Sequence, residues 1–155
     1  MIRPVLKSPD SRLLTACLDV TDFGDSLRQL VRDLIDTLAT SKRAGVGLAA
    51  NQIGDMRRVF IIDLTAGKNP TAIQIFVNPI IRKVRGKEHT QIEGCLSLEV
   101  GDDCDVRRAT IINWTAQDLN GKPISGRFHD FSARVFQHEM DHLEGQTCLD
   151  RKATK

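Results

Sequence analysis

Near the end of the sequence the chain reads Gln137-His138-Glu139-Met140-Asp141-His142-Leu143. Two histidines four positions apart on a helix project the same way, one turn above the other, and can grip one metal ion. Imidazole nitrogen suits zinc and similar divalent ions, and a catalytic site takes about three protein ligands plus an open position. Glu139 follows the first histidine, about 100° around the helix, within reach of that open position. A carboxylate there can take a proton from water, so the pattern points to metal-assisted hydrolysis. The same string also occurs by chance on solvated helices, so the flanks matter. Asp130 is a candidate N-cap, Phe131, Val135, Phe136 and Leu143 supply apolar positions, and Gly145 is a candidate C-cap. A helix with both an apolar face and both histidines carries its site inward. Little follows His142, and Glu144 falls on another face, so a third ligand is expected from upstream.

The elements that must position this helix belong to one domain of 155 residues, with 41% apolar content in the globular range. A net charge of +2 with dispersed basic residues argues against a nucleic-acid partner. No apolar run is long enough to span a membrane, and the first residues lack the apolar core of a signal peptide. Cys17, Cys95, Cys104 and Cys148 form no C-x-x-C pair. Without an export signal they read as reduced thiols, and the expected compartment is cytoplasmic.

Pro4 and Pro9 break the opening segment. A helix from Asp25 or Ser26 to about Lys42 carries an apolar stripe of Leu27, Leu30, Val31, Leu34, Ile35 and Leu38. From Arg57 the pattern turns to strands: Val59 to Leu64, Ile73 to Val77, shorter stretches at Ile80 to Val84 and His89 to Ile92, then Ala109 to Trp114. The Asn120-Gly121 turn pairs that last strand with Ile124 to Phe128 as a hairpin. The expected fold is α+β: one packing helix, mainly antiparallel strands, then the metal helix.

Two further stretches carry candidate chemistry. Gly45-Val46-Gly47-Leu48-Ala49-Ala50-Asn51-Gln52-Ile53-Gly54 is dense in small residues that let another backbone come close. Taken alone it reads as a tight loop after a helix, and no Gly-Lys-Ser/Thr ending marks a phosphate loop. Glu93-Gly94-Cys95-Leu96-Ser97 places a cysteine in a loop. Cys95 reads either as a buried thiol or as the missing third ligand, which would leave a fourth position open to water.

Together the three stretches, in this order, resemble the three signatures of the peptide deformylases, and Pro9-Asp10 with Arg12-Leu13 resembles the start of that family. The resemblance covers essentially the whole chain. It implies that Cys95, His138 and His142 bind one divalent ion, Fe²⁺ natively, with Zn²⁺ or Ni²⁺ able to occupy the site. It implies that Glu139 is the general base and then the acid for the departing amine. Gln52, through its amide, and Leu96, through its backbone N–H, would stabilise the oxyanion. The substrate would be the N-formyl-methionyl end of a nascent polypeptide, and the products formate and a free amino terminus. The Gly45-Val46-Gly47 segment would suit an extended peptide docking by main-chain hydrogen bonds.

The chain departs from the family pattern after Ser97, where Leu98 to Asp105 is acidic and lacks the usual proline. Substrate contacts there are not carried over. Arg134 lies one turn before His138 on the ligand-bearing face, and its stem is expected to line a pocket while its head reaches water; the other possibility is a changed side-chain preference. Phe131 and Val135 are the remaining candidate pocket walls. Asp141 is expected to orient a ligand or an arginine such as Arg107, or else to be a surface charge. With no long C-terminal helix after Glu144, direct docking on the ribosome is not expected. Two other readings remain: a zinc peptidase of the His-Glu-x-x-His type, and a non-catalytic peptide-binding relative. The first would keep its metal in Cys95→Ser.

Overall fold

The computed structural model describes residues 1–41 and 45–153. Two α-helices cover the two faces of one five-stranded antiparallel sheet, whose spatial order is its sequence order. The strands are β1 (Gly47–Ala49), β2 (Val59–Ile62), β3 (Gln74–Glu93), β4 (Cys104–Gln117) and β5 (Pro123–His129). Helix α1 (Asp25–Ala39) lies on one face and α2 (Asp130–Leu143) on the other.

Strand β2, second in the sheet, shows why both helices are needed. Successive side chains of a strand point to opposite faces. Phe60 and Ile62 enter the core with Phe136, Met140 and Leu143 of α2. Val59 and Ile61 enter the core with Leu27, Leu30, Leu34 and Leu38 of α1. All four residues of β2 are therefore buried. The α1 stripe packs as its spacing predicts, but the helix begins after Gly24 and ends at Ala39, short of the expected boundary; Lys42 lies outside the described residues. Under α2 the aromatic rings interlock: Phe60 meets Phe136 edge-on with centroids 5.0 Å apart, and Trp114 stacks on Phe136 at 5.7 Å. Such pairs add to the area they bury.

Three expectations change. The stretches around Ile75, Ile81 and Gln91 are one strand, β3, paired with β4 from Val77↔Gln117 to Glu93↔Cys104. Asn78-Pro79 signals a strand end, yet here it marks one of three register shifts inside the strand. Asn78 adopts φ 48° and its side chain bonds Val20 and Gln117, which holds the irregularity in place. The strand expected from Ala109 to Trp114 begins earlier, at Cys104, inside the acidic stretch after Ser97, where Leu98 is also buried. Third, Gly47–Ala49 forms a short edge strand on β2, followed by a 3-10 turn at Ala50–Ile53, in place of a plain loop. The Asn120-Gly121 hairpin forms as expected, from Gln117↔Pro123 to Ile111↔His129.

Candidate metal centre and cleft

Helix α2 starts where the Ser132 hydroxyl donates to the His129 carbonyl at 2.7 Å and accepts from the His129 N–H at 3.2 Å. His129, not Asp130, is thus the capping position. Ala133, Phe136, Met140 and Leu143 recur at spacings of three and four and face the sheet. Arg134, His138 and His142 follow one another at spacings of four along an adjacent ridge. The helix stops at Leu143, with Gly145 left-handed at φ 71° just beyond. Asn51 donates to the His142 carbonyl at 2.6 Å, tying that end to the 3-10 turn.

The third donor arrives from the far end of β3. Glu93 is its last residue, and the chain turns at Gly94 to bring Cys95 over α2. Cys95 Sγ lies 3.2 Å from His142 Nε2, and the donor atoms of Cys95, His138 and His142 all lie within 4.8 Å of one another. Bonds of 2.0–2.3 Å to a tetrahedral ion would set such donors roughly 3.5 Å apart, inside that range. A thiolate with two imidazoles suits a borderline to soft divalent ion. No further His, Cys, Asp or Glu joins the cluster among the described residues, so a bound ion would keep a coordination position open. The residues present therefore fit a catalytic metal site.

The surroundings set the chemistry of each donor. His138 Nδ1 faces Glu93 Oε2 at 2.9 Å, which leaves Nε2 for the cluster. Burial works against a proton on His138, but Cys95 and Glu93 outweigh it and raise its pKa to about 10. His142 is held neutral, first by burial and then by the neighbouring His138. Burial pushes the Glu139 carboxyl up to about 7, with His138 pulling the other way. Glu139 Oε2 is buried with no partner in the protein, in a side chain that borders the cleft.

Gln52 is oriented by its own oxygen. The Ala49 N–H donates to Gln52 Oε1 at 2.8 Å, so the amide nitrogen must face the other way. It donates to Ser97 Oγ at 3.1 Å and points at Cys95 Sγ at 3.6 Å. An uncharged donor is thereby fixed beside the Cys95-His138-His142 cluster.

These groups border a cleft of about 360 Å³. Its walls include Gly45, Val46 and Gly47 on one side, Gln52, Cys95 and Leu96 on a second, and Phe131, Arg134, Val135, His138 and Glu139 from α2. Every site residue read from the sequence lies on this cleft except His142, which is buried behind it. Gly47 lies against Glu139: a Cβ at that position would come within 2.8 Å of the Glu139 carboxyl carbon.

Two expectations are corrected. The Arg134 head does not reach water. Its side chain is 9% exposed, and the guanidinium bonds Glu93, the Val106 carbonyl and the His89 carbonyl. Asp141 orients Arg108, not Arg107: Arg108 Nη1 donates to Asp141 Oδ2 at 2.6 Å, while Arg107 pairs with Glu88 at the surface. Glu93 and Arg108 themselves carry no role in the sequence reading. Glu93 stands two positions before Cys95, a signal that could have marked it. Nothing in the spacing of Arg108 points to the site.

The sequence model described as polypeptide deformylase matches residues 2–155. A peptide deformylase of Acidobacterium capsulatum is 39% identical over 97% of this chain and 86% of its own length. That of Dictyoglomus thermophilum is also 39% identical, over 97% of this chain and 93% of its own. Among solved structures, peptide deformylase from Thermotoga maritima superposes with a TM-score of 0.90 at 29% identity, covering 99% of both chains. That from Plasmodium falciparum does so at 0.90 and 32% identity, covering 97% of this chain and 86% of its own.

Proposed function

The chain belongs to the polypeptide deformylase family and is a hydrolase of the formyl amide bond, and from that premise we propose how its residues divide the work. Cys95, His138 and His142 hold one divalent ion, Fe²⁺ in the native protein, with Zn²⁺ or Ni²⁺ able to replace it. When bound, the ion supplies a Lewis acid that polarises the formyl carbonyl and makes the attacking water more acidic. Glu139 takes the proton from that water and delivers it to the departing amine nitrogen, so formate and a free amino terminus leave together. A carboxyl raised to about 7 by burial is matched to both halves of that task near neutral pH. Gln52 Nε2 and the Leu96 N–H donate to the carbonyl oxygen as it gains charge. The backbone at 45–47 runs beside the extended peptide. Phe131, Val135 and the stem of Arg134 line the methionine side chain.

The observation that carries this reading is the setting of the three donors: they share one cleft with a buried carboxylate and a fixed amide donor. A structural metal site takes four protein ligands and has no use for either group. The substrates are N-formyl-methionyl nascent polypeptides in the cytoplasm. No helix among the described residues is long and apolar enough to cross a membrane.

The test is formate release from formyl-Met-Ala-Ser by anaerobically purified protein with its metal quantified. Anaerobic handling guards the thiolate against oxidation. Release is expected from the wild type and is lost in Cys95→Ser together with the metal. In Glu139→Ala the metal stays and turnover falls by about 10³-fold or more. A fully metallated wild type that releases no formate overturns the proposal; cleavage of internal peptide bonds surviving Cys95→Ser would favour a zinc peptidase.

A further inference from the structure

Arg134 places a cation in a cleft wall whose other members from the same turn, Phe131 and Val135, are apolar, as is Ile92 of β3. Its guanidinium is turned into the protein. Nη1 donates to Glu93 Oε1 at 2.6 Å and to the Val106 carbonyl at 3.0 Å, and Nη2 donates to the His89 carbonyl at 2.6 Å. One side chain of α2 thus ties the helix to β3, to β4 and to the residue that ends β3.

That residue, Glu93, is fully engaged. Oε1 accepts from Arg108 Nε at 2.8 Å as well as from Arg134, and Oε2 accepts from Arg108 Nη2 at 2.9 Å while facing His138 Nδ1 at 2.9 Å. Four donors on two oxygens use the roughly four lone-pair positions of a carboxylate. The Arg108 fork holds the group from the sheet side. Arg134 holds it from the helix side, one turn below His138. Two residues beyond Glu93 the chain reaches Cys95, so this clamp bears on two metal donors at once.

We propose that Arg134 is a positioning residue for the metal: by clamping Glu93 between α2 and the β3–β4 ribbon it holds His138 and Cys95 in register and sets how firmly the ion is retained. The proposal rests on the reading of Cys95, His138 and His142 as ligands. Partners of a ligating histidine commonly contribute about 10- to 100-fold to metal affinity. Arg134 would reach the same scale through the carboxylate it clamps.

The experiment loads wild type, Arg134→Met, Arg134→Lys and Cys95→Ser with Zn²⁺ and follows transfer of the ion to the chromogenic chelator pyridylazoresorcinol. Far-UV circular dichroism and thermal melting run in parallel. Arg134→Met is expected to surrender Zn²⁺ about 10- to 100-fold faster than wild type. Arg134→Lys should fall between, because an ammonium can keep the Glu93 contact but cannot span both carbonyls. A purely structural role would lower the melting temperature without moving the release rate. Wild-type release from folded Arg134→Met overturns the proposal; should that variant not fold, the Arg134→Lys rate decides in the same way. Zn²⁺ held equally by Cys95→Ser overturns the ligand assignment, a failure distinct from that of Arg134.

Discussion

At the scale of the residue, the telling contact is between Gly47 and Glu139. The carboxylate lies where any larger residue of β1 would place its Cβ. Gly47→Ala is expected to displace Glu139 and lower kcat for formate release by about 10²-fold or more, with metal content unchanged. Shortening the acid should relieve the clash, so Gly47→Ala combined with Glu139→Asp should be less impaired than the two single effects added together. Steady-state kinetics of the four proteins check this, and additive losses would show that the contact does not set the position of the Glu139 carboxylate. The His-x-x-x-His pair and the intervening Glu139 were legible from helical spacing alone. The pressure of Gly47 on Glu139 was not, because the two are brought together only when β1 crosses over α2.

At the scale of the element, α2 must stop in the right place to present His142. Gly145 combines a left-handed φ of 71° with a Cβ position 2.8 Å from the Leu14 backbone. Leu143 in turn accepts from the Cys17 N–H at 2.8 Å, so the helix end and the opening segment pack as one unit. Gly145→Ala meets backbone on one side and unfavourable φ on the other, and neither can move cheaply. It is expected to cost about 1–3 kcal/mol in urea unfolding, more than the same change at an exposed turn. The end of α2, the α1 stripe and the Asn120-Gly121 hairpin could all be read from local residue types. The continuity of β3 could not: Asn78-Pro79 carries the local chemistry of a stop, and it is the pairing with β4 that carries the strand through.

At the scale of the whole molecule, the buried charges of Glu93, Arg108, Arg134 and Asp141 join both strands of the ribbon to α2. Burial alone would raise the Glu93 carboxyl, but Arg108 and His138 outweigh it and bring it from 4.5 down to about 2. A carboxyl depressed in the folded state contributes stability that is complete above its unfolded value and is lost as pH falls towards the folded one. Stability is therefore expected to drop by about 3 kcal/mol, at most, between pH 4.5 and 2 on account of this group. Urea unfolding of metal-stripped protein across that range checks it. Glu93→Gln should be less stable near neutrality and should lose this part of the acid dependence. An equally steep acid loss in Glu93→Gln would place the effect elsewhere.

What could be known from residue order was whatever depends on short separations: helical spacing, a turn dipeptide, the order of three short motifs. Those were enough for the α+β class, the family and the three side chains that the fold gathers into one cluster able to hold a metal. What needed the folded chain was every relation between distant segments. Arg134 was expected to send its head to water because a long cationic side chain on the ligand-bearing face can lay its stem along a pocket and keep its charge hydrated. In the fold Glu93 stands 41 positions away in sequence, and hydrogen bonds to it and to the Val106 and His89 carbonyls make the interior the lower-energy place for that charge. Asp141 found Arg108 and not Arg107 for the simplest geometric reason: adjacent residues of a strand face opposite ways, and only Arg108 faces the helix.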